Sequence, residues 1–279
     1  PTLYGKDVQR RPMSYSFTSD FHVGPEPTRP GQLEHIAAAG FRRLHWCWDW
    51  TATNRYGPDG TARARGWLAE AGLELGDTHG TCPGEAREWS ADPEQAALGV
   101  VLHTDRLRFT GGLGGDALVI HPPEGEGAEL EAALERQIAA LTDLVPVVEE
   151  TGVRLAIENI WPASRNAVVI PALLSAFDPD HLGYCYDSGH ANKAGDLDWL
   201  VEHAFPRLIV THLHDNDGTG DQHLLPGDGT VDWARVRAEL AAVGYQKPLN
   251  LEVVMSERYG SDEEAFLALA HARATEQLG

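Results

Sequence analysis

Eight short apolar runs, each followed by a longer and more polar stretch, set the strongest limit on what this chain can fold into. The runs are SYSFTSDFH (14–22), RRLHWCWD (42–49), LELGDTHG (73–80) and DALVIHPP (116–123), then RLAIENI (154–160), LGYCYDSG (182–189), RLIVTHLHD (207–215) and LNLEVV (249–254). They are rich in Val, Ile, Leu and Tyr, and most end on Gly, Pro, Asp or His, as strands that run into turns do. Helical patterns lie between them. TRPGQLEHIAAAG opens with Thr and Pro and stops at Gly40. GAELEAALERQIAALTDLVPVVEETG repeats apolar residues at three- and four-residue spacing as far as Gly152, with Pro146 expected to kink or restart the helix. DEEAFLALAHARATEQLG closes the sequence.

Strands that alternate with helices predict parallel βαβ units, and eight such units in about 250 residues have the size of a (β/α)8 TIM barrel. The alternative is a doubly wound open sheet. Its dinucleotide signature, GxGxxG after the first strand, is replaced here by TSDFHVGPEP. GGLGG (111–115) reads as a flexible turn before the fourth strand, and no linker or low-complexity tract interrupts the pattern, so residues 1–279 are read as a single barrel domain.

Charge narrows the partners. The formal net charge is −20, and the densest basic spots are only Arg10–Arg11, Arg42–Arg43 and the pair Arg63 and Arg65. A polyanion would be repelled by that field, so no nucleic-acid partner is expected. No apolar stretch approaches a membrane span, and PTLYGKDVQRRPMSYSF has no apolar core of a secretory signal. Cys47, Cys82 and Cys185 are odd in number and form no CxxC, which argues against a disulfide framework or thiolate zinc site and for a reducing, cytoplasmic location.

In a barrel, chemistry gathers at the C-terminal ends of the strands. Those ends hold His79, His121, Glu158 with Asn159, Asp187 followed by His190, His212 followed by His214, Asp221 and His223, and Glu252. Taken alone, any one of them is more often a hydrogen-bonded structural residue than a ligand. Together they read differently. In LAIENI, Glu158 is in phase with Ala156, whereas Leu155 and Ile157 take the opposite face. An inward carboxylate in a tight barrel needs a partner, and several together repel unless a divalent cation neutralises them. Mixed Asp, Glu and His donors suit Zn²⁺, Mn²⁺, Fe²⁺ or Co²⁺ better than Ca²⁺. His212 reads as the ligand of its strand and His214 as a neighbour on the same face, while Asp215 and Asp217 read as loop residues. The cluster HWCWDW (45–50) reads either as a pocket wall or as packing by Trp46, Trp48 and Trp50.

These segments, above all LAIENI, YCYDSGHAN, THLHDNDGTGDQHLLPGDG and LNLEVV, resemble the xylose isomerase-like barrel superfamily of sugar phosphate isomerases and epimerases, ketose 3-epimerases and endonuclease IV. The resemblance covers nearly the whole chain. It implies a metal quartet of Glu158, Asp187, His212 and Glu252, the His-x-x-acid pattern selecting His212 over His214. The resemblance to endonuclease IV implies further zinc ligands at His79, His121, His190, Asp221 and His223, with Glu158 bridging.

The implied activity is that of a divalent-metal-dependent sugar or sugar phosphate isomerase or epimerase. Glu158 and Glu252 would move a proton through an enediolate of a metal-bound keto sugar or polyol derivative. Mn²⁺ or Zn²⁺ is expected first, with Fe²⁺, Co²⁺ and Mg²⁺ behind them, and no organic cofactor. His190, His214, His223, Trp46, Trp48 and Arg165 are the expected substrate contacts. Arg55 and Lys193 join Arg165 as candidates to hold a phosphate or carboxylate. The alternative is an endonuclease IV-like multinuclear hydrolase of phosphodiesters; a barrel that keeps its ion without catalysis is a third reading. The expected partner is a small sugar-like molecule, and the resemblance allows a homo-oligomer.

Overall fold

The computed structural model describes residues 14–22, 29–82, 84 and 87–279. Thr28 and most of the HVGPEPTRPG loop after the first strand lie outside the described residues, as do residues 1–13 with Arg10 and Arg11. Eight strands form one parallel sheet: β1 (Tyr15–Thr18), β2 (Arg43–Trp46), β3 (Glu74–His79), β4 (Ala117–Ile120), β5 (Arg154–Glu158), β6 (Leu182–Asp187), β7 (Leu208–His212) and β8 (Leu249–Leu251). Sequential strands are neighbours, and β8 returns to pair with β1, Tyr15 opposite Leu249. The remaining edge closes by a bridge between Leu213 and Leu251, where Leu213 N–H donates to Asn250 O at 2.8 Å and Glu252 N–H to Leu213 O at 3.1 Å. The molecule is therefore the expected (β/α)8 barrel.

The helices wrap the outside as α1 (Arg29–Ala38), α2 (Gly57–Ala71), α3 (Pro93–Gly112), α4 (Gly127–Thr151), α5 (Ala163–Ala176), α6 (Ser188–Ala194), α7 (Leu197–His203), α8 (Trp233–Ala242) and α9 (Glu263–Leu278). Four of them start on an aspartate that accepts first-turn N–H groups: Asp92 before α3, Asp187 before α6, Asp232 before α8 and Asp262 before α9. Pro146 does not restart α4, which runs unbroken from Gly127 to Thr151. Pro146 and Thr142 are both exposed, so water can satisfy the carbonyl freed by the missing N–H. No helix among the described residues is long and apolar enough to cross a membrane.

Strand alternation builds two cores. Leu118, Ile120, Leu155 and Ile157 point outward into the large layer between sheet and helices. Ala117, Val119, Ala156, Cys185, Ile209 and Val210 form a second, small-residue cluster. Glu158 shares the phase of Ala156, as the sequence requires. Every strand is shorter than its apolar run suggests, because the polar residues that end each run have already left the ladder.

Candidate metal centre

Three of the four quartet residues terminate strands: Glu158 ends β5, Asp187 ends β6 and His212 ends β7, while Glu252 follows β8 directly. All four are buried, and one donor atom from each lies within 4.8 Å of the other three. His212 Nδ1 stands between the glutamates, 3.0 Å from Glu158 Oε1 and 3.2 Å from Glu252 Oε2. Asp187 also caps α6, taking the His190 N–H at 2.6 Å.

Two further groups flank the quartet. His79 and His121 face the other oxygen of Glu158, with His121 Nε2 3.2 Å and His79 Nε2 3.9 Å from Oε2. Glu158 thus belongs to both groups. On the opposite side His190, His214, Asp221 and His223 gather, Asp221 Oδ2 lying 3.4 Å from the Nε2 atoms of both His190 and His223. His214 Nε2 is 3.1 Å from Asp187 Oδ1, and its ring stacks on His223 at 3.9 Å. Gly189 is required here, since a Cβ at that position would meet the His214 ring at 2.0 Å.

The histidines are held in a common way. His79 Nδ1–H donates to Gly80 O at 2.8 Å, His190 Nδ1–H to Asn159 O at 2.9 Å and His223 Nδ1–H to Glu252 O at 2.7 Å. A carbonyl can only accept, so each contact fixes the tautomer and turns the Nε2 lone pair toward the centre, the orientation that a cation needs. Asn159 orders β5 and β6 as well, its side chain bonding to Asp187 O and N–H and to the Tyr184 hydroxyl. His223 sits at φ 47°, a left-handed backbone that non-glycine residues adopt at some cost.

Electrostatics show the same demand for positive charge. Burial opposes ionisation of Glu158, yet His212 and His121 hold its carboxyl well below the usual range. Glu252 is likewise lowered against its burial, chiefly by His212. His190 is raised to about 10 and His223 to about 9, burial being outweighed by Asp187 and Asp221 for the first and by Asp221 and Glu252 for the second. His79 behaves oppositely, pushed down to about 3 by burial and by His121. The donor set of inward carboxylates and tautomer-fixed imidazoles fits a divalent cation, and Glu158, Asp187, His212 and Glu252 are the residues that would hold it.

The tryptophans need a correction. Trp46 and Trp48 do not line the centre; both are buried in the outer core, where Trp46 packs against Phe109 and Tyr56. Trp46 alternates with the inward His45 and so points out of the barrel. Trp50 stands at the site, its ring 5.2 Å from His79 and 6.0 Å from His121. Trp161 lies 5.0 Å from His190, with Lys193 Nζ 3.4 Å over its ring. Arg165 sits half-buried in the first turn of α5, and Arg55 is exposed. Two residues escape the sequence reading altogether: His45 and Asp77, a bonded pair on β2 and β3 beside the quartet. Their signal was alternation, since His45 stands between Leu44 and Trp46 as Glu158 stands beyond Ile157.

The model of the xylose isomerase-like TIM barrel family matches residues 33–274. The chain belongs to that family. Among relatives in sequence, the uncharacterized protein y4fM of Sinorhizobium fredii is 32% identical over 87% of this chain and 86% of its own. An L-ribulose 3-epimerase of Mesorhizobium japonicum is 28% identical over 68% of this chain and 65% of its own. Among solved structures, the IOLI protein with a binding zinc atom superposes with a TM-score of 0.77 at 14% identity, over 95% of this chain and 98% of that one.

Proposed function

We propose that this barrel is a divalent-metal-dependent epimerase or isomerase of a sugar or sugar phosphate. One observation carries the reading: two buried glutamates, Glu158 and Glu252, face each other across His212 Nδ1 at 3.0 and 3.2 Å. The relationship to the L-ribulose 3-epimerase of Mesorhizobium japonicum supports it. Bound between these residues, a cation would polarise a substrate carbonyl and acidify the neighbouring C–H. One glutamate would then take that proton, and the other, having drawn a proton from solvent, would deliver it to the enediolate of the substrate. Delivery to the opposite face inverts the carbon. Both carboxyls are held ionised, as a proton acceptor must be. Trp50 and Trp161 offer apolar faces to a sugar ring, and His190 and Lys193 offer donors to its oxygens.

The test is a ketose panel in D2O with Mn²⁺- or Zn²⁺-loaded protein, followed by NMR. The expected result is solvent deuterium at an inverted or isomerised carbon, with turnover lowered about 10²–10⁴-fold in Glu158→Gln and Glu252→Gln at saturating metal. No exchange into any ketose, or full turnover by metal-loaded Glu158→Gln, overturns the reading.

A second reading rests on the flanking groups at His79, His121 and Glu158 and at His190, His214, Asp221 and His223. They suit a multinuclear hydrolase, in which a water shared between cations attacks a phosphate ester. The net charge of −20 disfavours a nucleic-acid substrate for it. Elemental analysis separates the two: one ion per chain favours the epimerase, two or three the hydrolase.

A further inference from the structure

His45 lies on the inner face of β2 with no exposed surface. Its Nδ1 is hydrogen-bonded to Asp77 Oδ1, on the neighbouring strand and directly opposite in register. A carboxylate accepts and does not donate, so Nδ1 carries a proton, and in the neutral ring it is Nε2 that presents the lone pair. That Nε2 is buried and makes no hydrogen bond. It faces Glu252 Oε1 at 3.8 Å, and the His45 ring packs edge-on against His212 at 4.5 Å. The separation is too long for a hydrogen bond. Tetrahedral donors about 2.1 Å from one ion stand ~3.4 Å apart, so a small closing movement would bring both atoms onto it. A histidine kept for packing alone would have no reason to aim an unpaired lone pair at a carboxylate.

His45 also repeats the plan of His79, His190 and His223, with Nδ1–H tied back and Nε2 directed inward. Its anchor is a carboxylate rather than a carbonyl, the stronger form of the same device. His45, His212 and Glu252 each offer a donor atom within 4.8 Å of the other two.

We propose that His45, oriented by Asp77, is a further metal ligand, entering from β2 on the Glu252 and His212 side of the centre. The inference rests on the metal-centre reading and deepens it. An additional imidazole shifts an oxygen-rich donor set toward nitrogen, so zinc, cobalt or iron should be preferred over magnesium.

Cobalt(II) titration of chelator-stripped protein, read by visible absorption and elemental analysis, tests the assignment. In His45→Ala the cobalt bands should shift and affinity should fall further than in Asp77→Asn, which should weaken binding about 10–100-fold with little change in the bands. Melting of the metal-free variants checks that each is folded. Wild-type affinity and bands in His45→Ala overturn the proposal. So do weaker affinity with unchanged bands, which would place His45 behind Glu252 rather than on the ion. If His45→Ala does not fold, Asp77→Asn keeps the imidazole in place, and an undiminished affinity there overturns it equally. Wild-type protein that takes up no cobalt overturns this proposal together with the function proposed above; cobalt uptake without sugar turnover leaves this one standing.

Discussion

His190 and His223 compete for their own lone pairs. In the metal-free chain the surrounding carboxylates raise His190 to about 10 and His223 to about 9, so both rings are protonated at pH 8. A cation that took either ring as a ligand would have to displace its proton. The sign follows: the donors are blocked below these values and freed above them, so affinity falls as pH drops and rises as pH climbs toward 9–10. Zinc titrated at pH 8 in two buffers of different ionisation heat should show proton release by calorimetry. Equal heats would mean that neither ring receives an ion. At this same scale the sequence was informative wherever alternation could be applied. Glu158 declared its direction through Ala156 and Ile157. Trp46 and His45 obey the same rule, but the aromatic density of HWCWDW suggested a pocket wall and drew attention away from the histidine within it. Which ligand belongs with which cation was not legible, because sharing of Glu158 depends on distances across the barrel rather than on spacing along the chain.

Among the elements, the segment after β7 is the one whose order is concentrated in a single side chain. Asp215 accepts the N–H groups of Asn216, Gly227 and Val231 and the indole of Trp233, all between 2.9 and 3.0 Å. This loop carries Asp221 and His223, and its tip is open: Asp221 is exposed although its two histidine neighbours are not. Asp215 is thus a loop organiser, as read from the sequence, and not a ligand. Asp215→Ala leaves several donors without their acceptor, at a cost of about 1–3 kcal/mol for each that stays buried. The expected outcome is a selective defect. Elemental analysis should show the quartet's ion retained, while KM for the sugar rises as Asp221, which faces His190 Nε2 at 3.4 Å, loses its place. Loss of the quartet's ion would mean that the loop supports the whole centre. The βα alternation that located every strand could not foresee this, since a loop's conformation is set by such long-range acceptors and not by periodicity.

For the whole molecule, a cation held by Glu158, Asp187, His212 and Glu252 ties together the ends of four adjacent strands. Binding to the folded state alone stabilises it by about 2.7 kcal/mol when free metal stands at a hundred times its dissociation constant. For a chain of this size, that corresponds to a rise of roughly 5–10 °C in melting temperature. Chelation should lower the transition by that amount and re-addition restore it; an unchanged melt would place the ion outside the folded core. The barrel itself was legible because eight apolar runs and their helices admit few other arrangements. Its net charge of −20 was legible too.

The way the barrel closes has a consequence for the order in which it assembles. Tyr15–Phe17 pair with Leu249–Leu251, and β7 meets β8 through the bridge of Leu213 with Leu251 and the Asn250 N–H bond to the Thr211 hydroxyl. The β1–β8 pairing joins the two ends of the chain, carries the largest loop-closure cost and tends to form late. Until it forms, β8 is an edge strand, and Glu252, directly after it, is held from one side only. A partly folded barrel therefore presents Glu252 loosely, a grip too incomplete to hold a cation well. Free metal would act as a selector of finished molecules: drawn to the closed ring, nearly indifferent to its precursors, and pulling the folding equilibrium forward only once the final strand is in place.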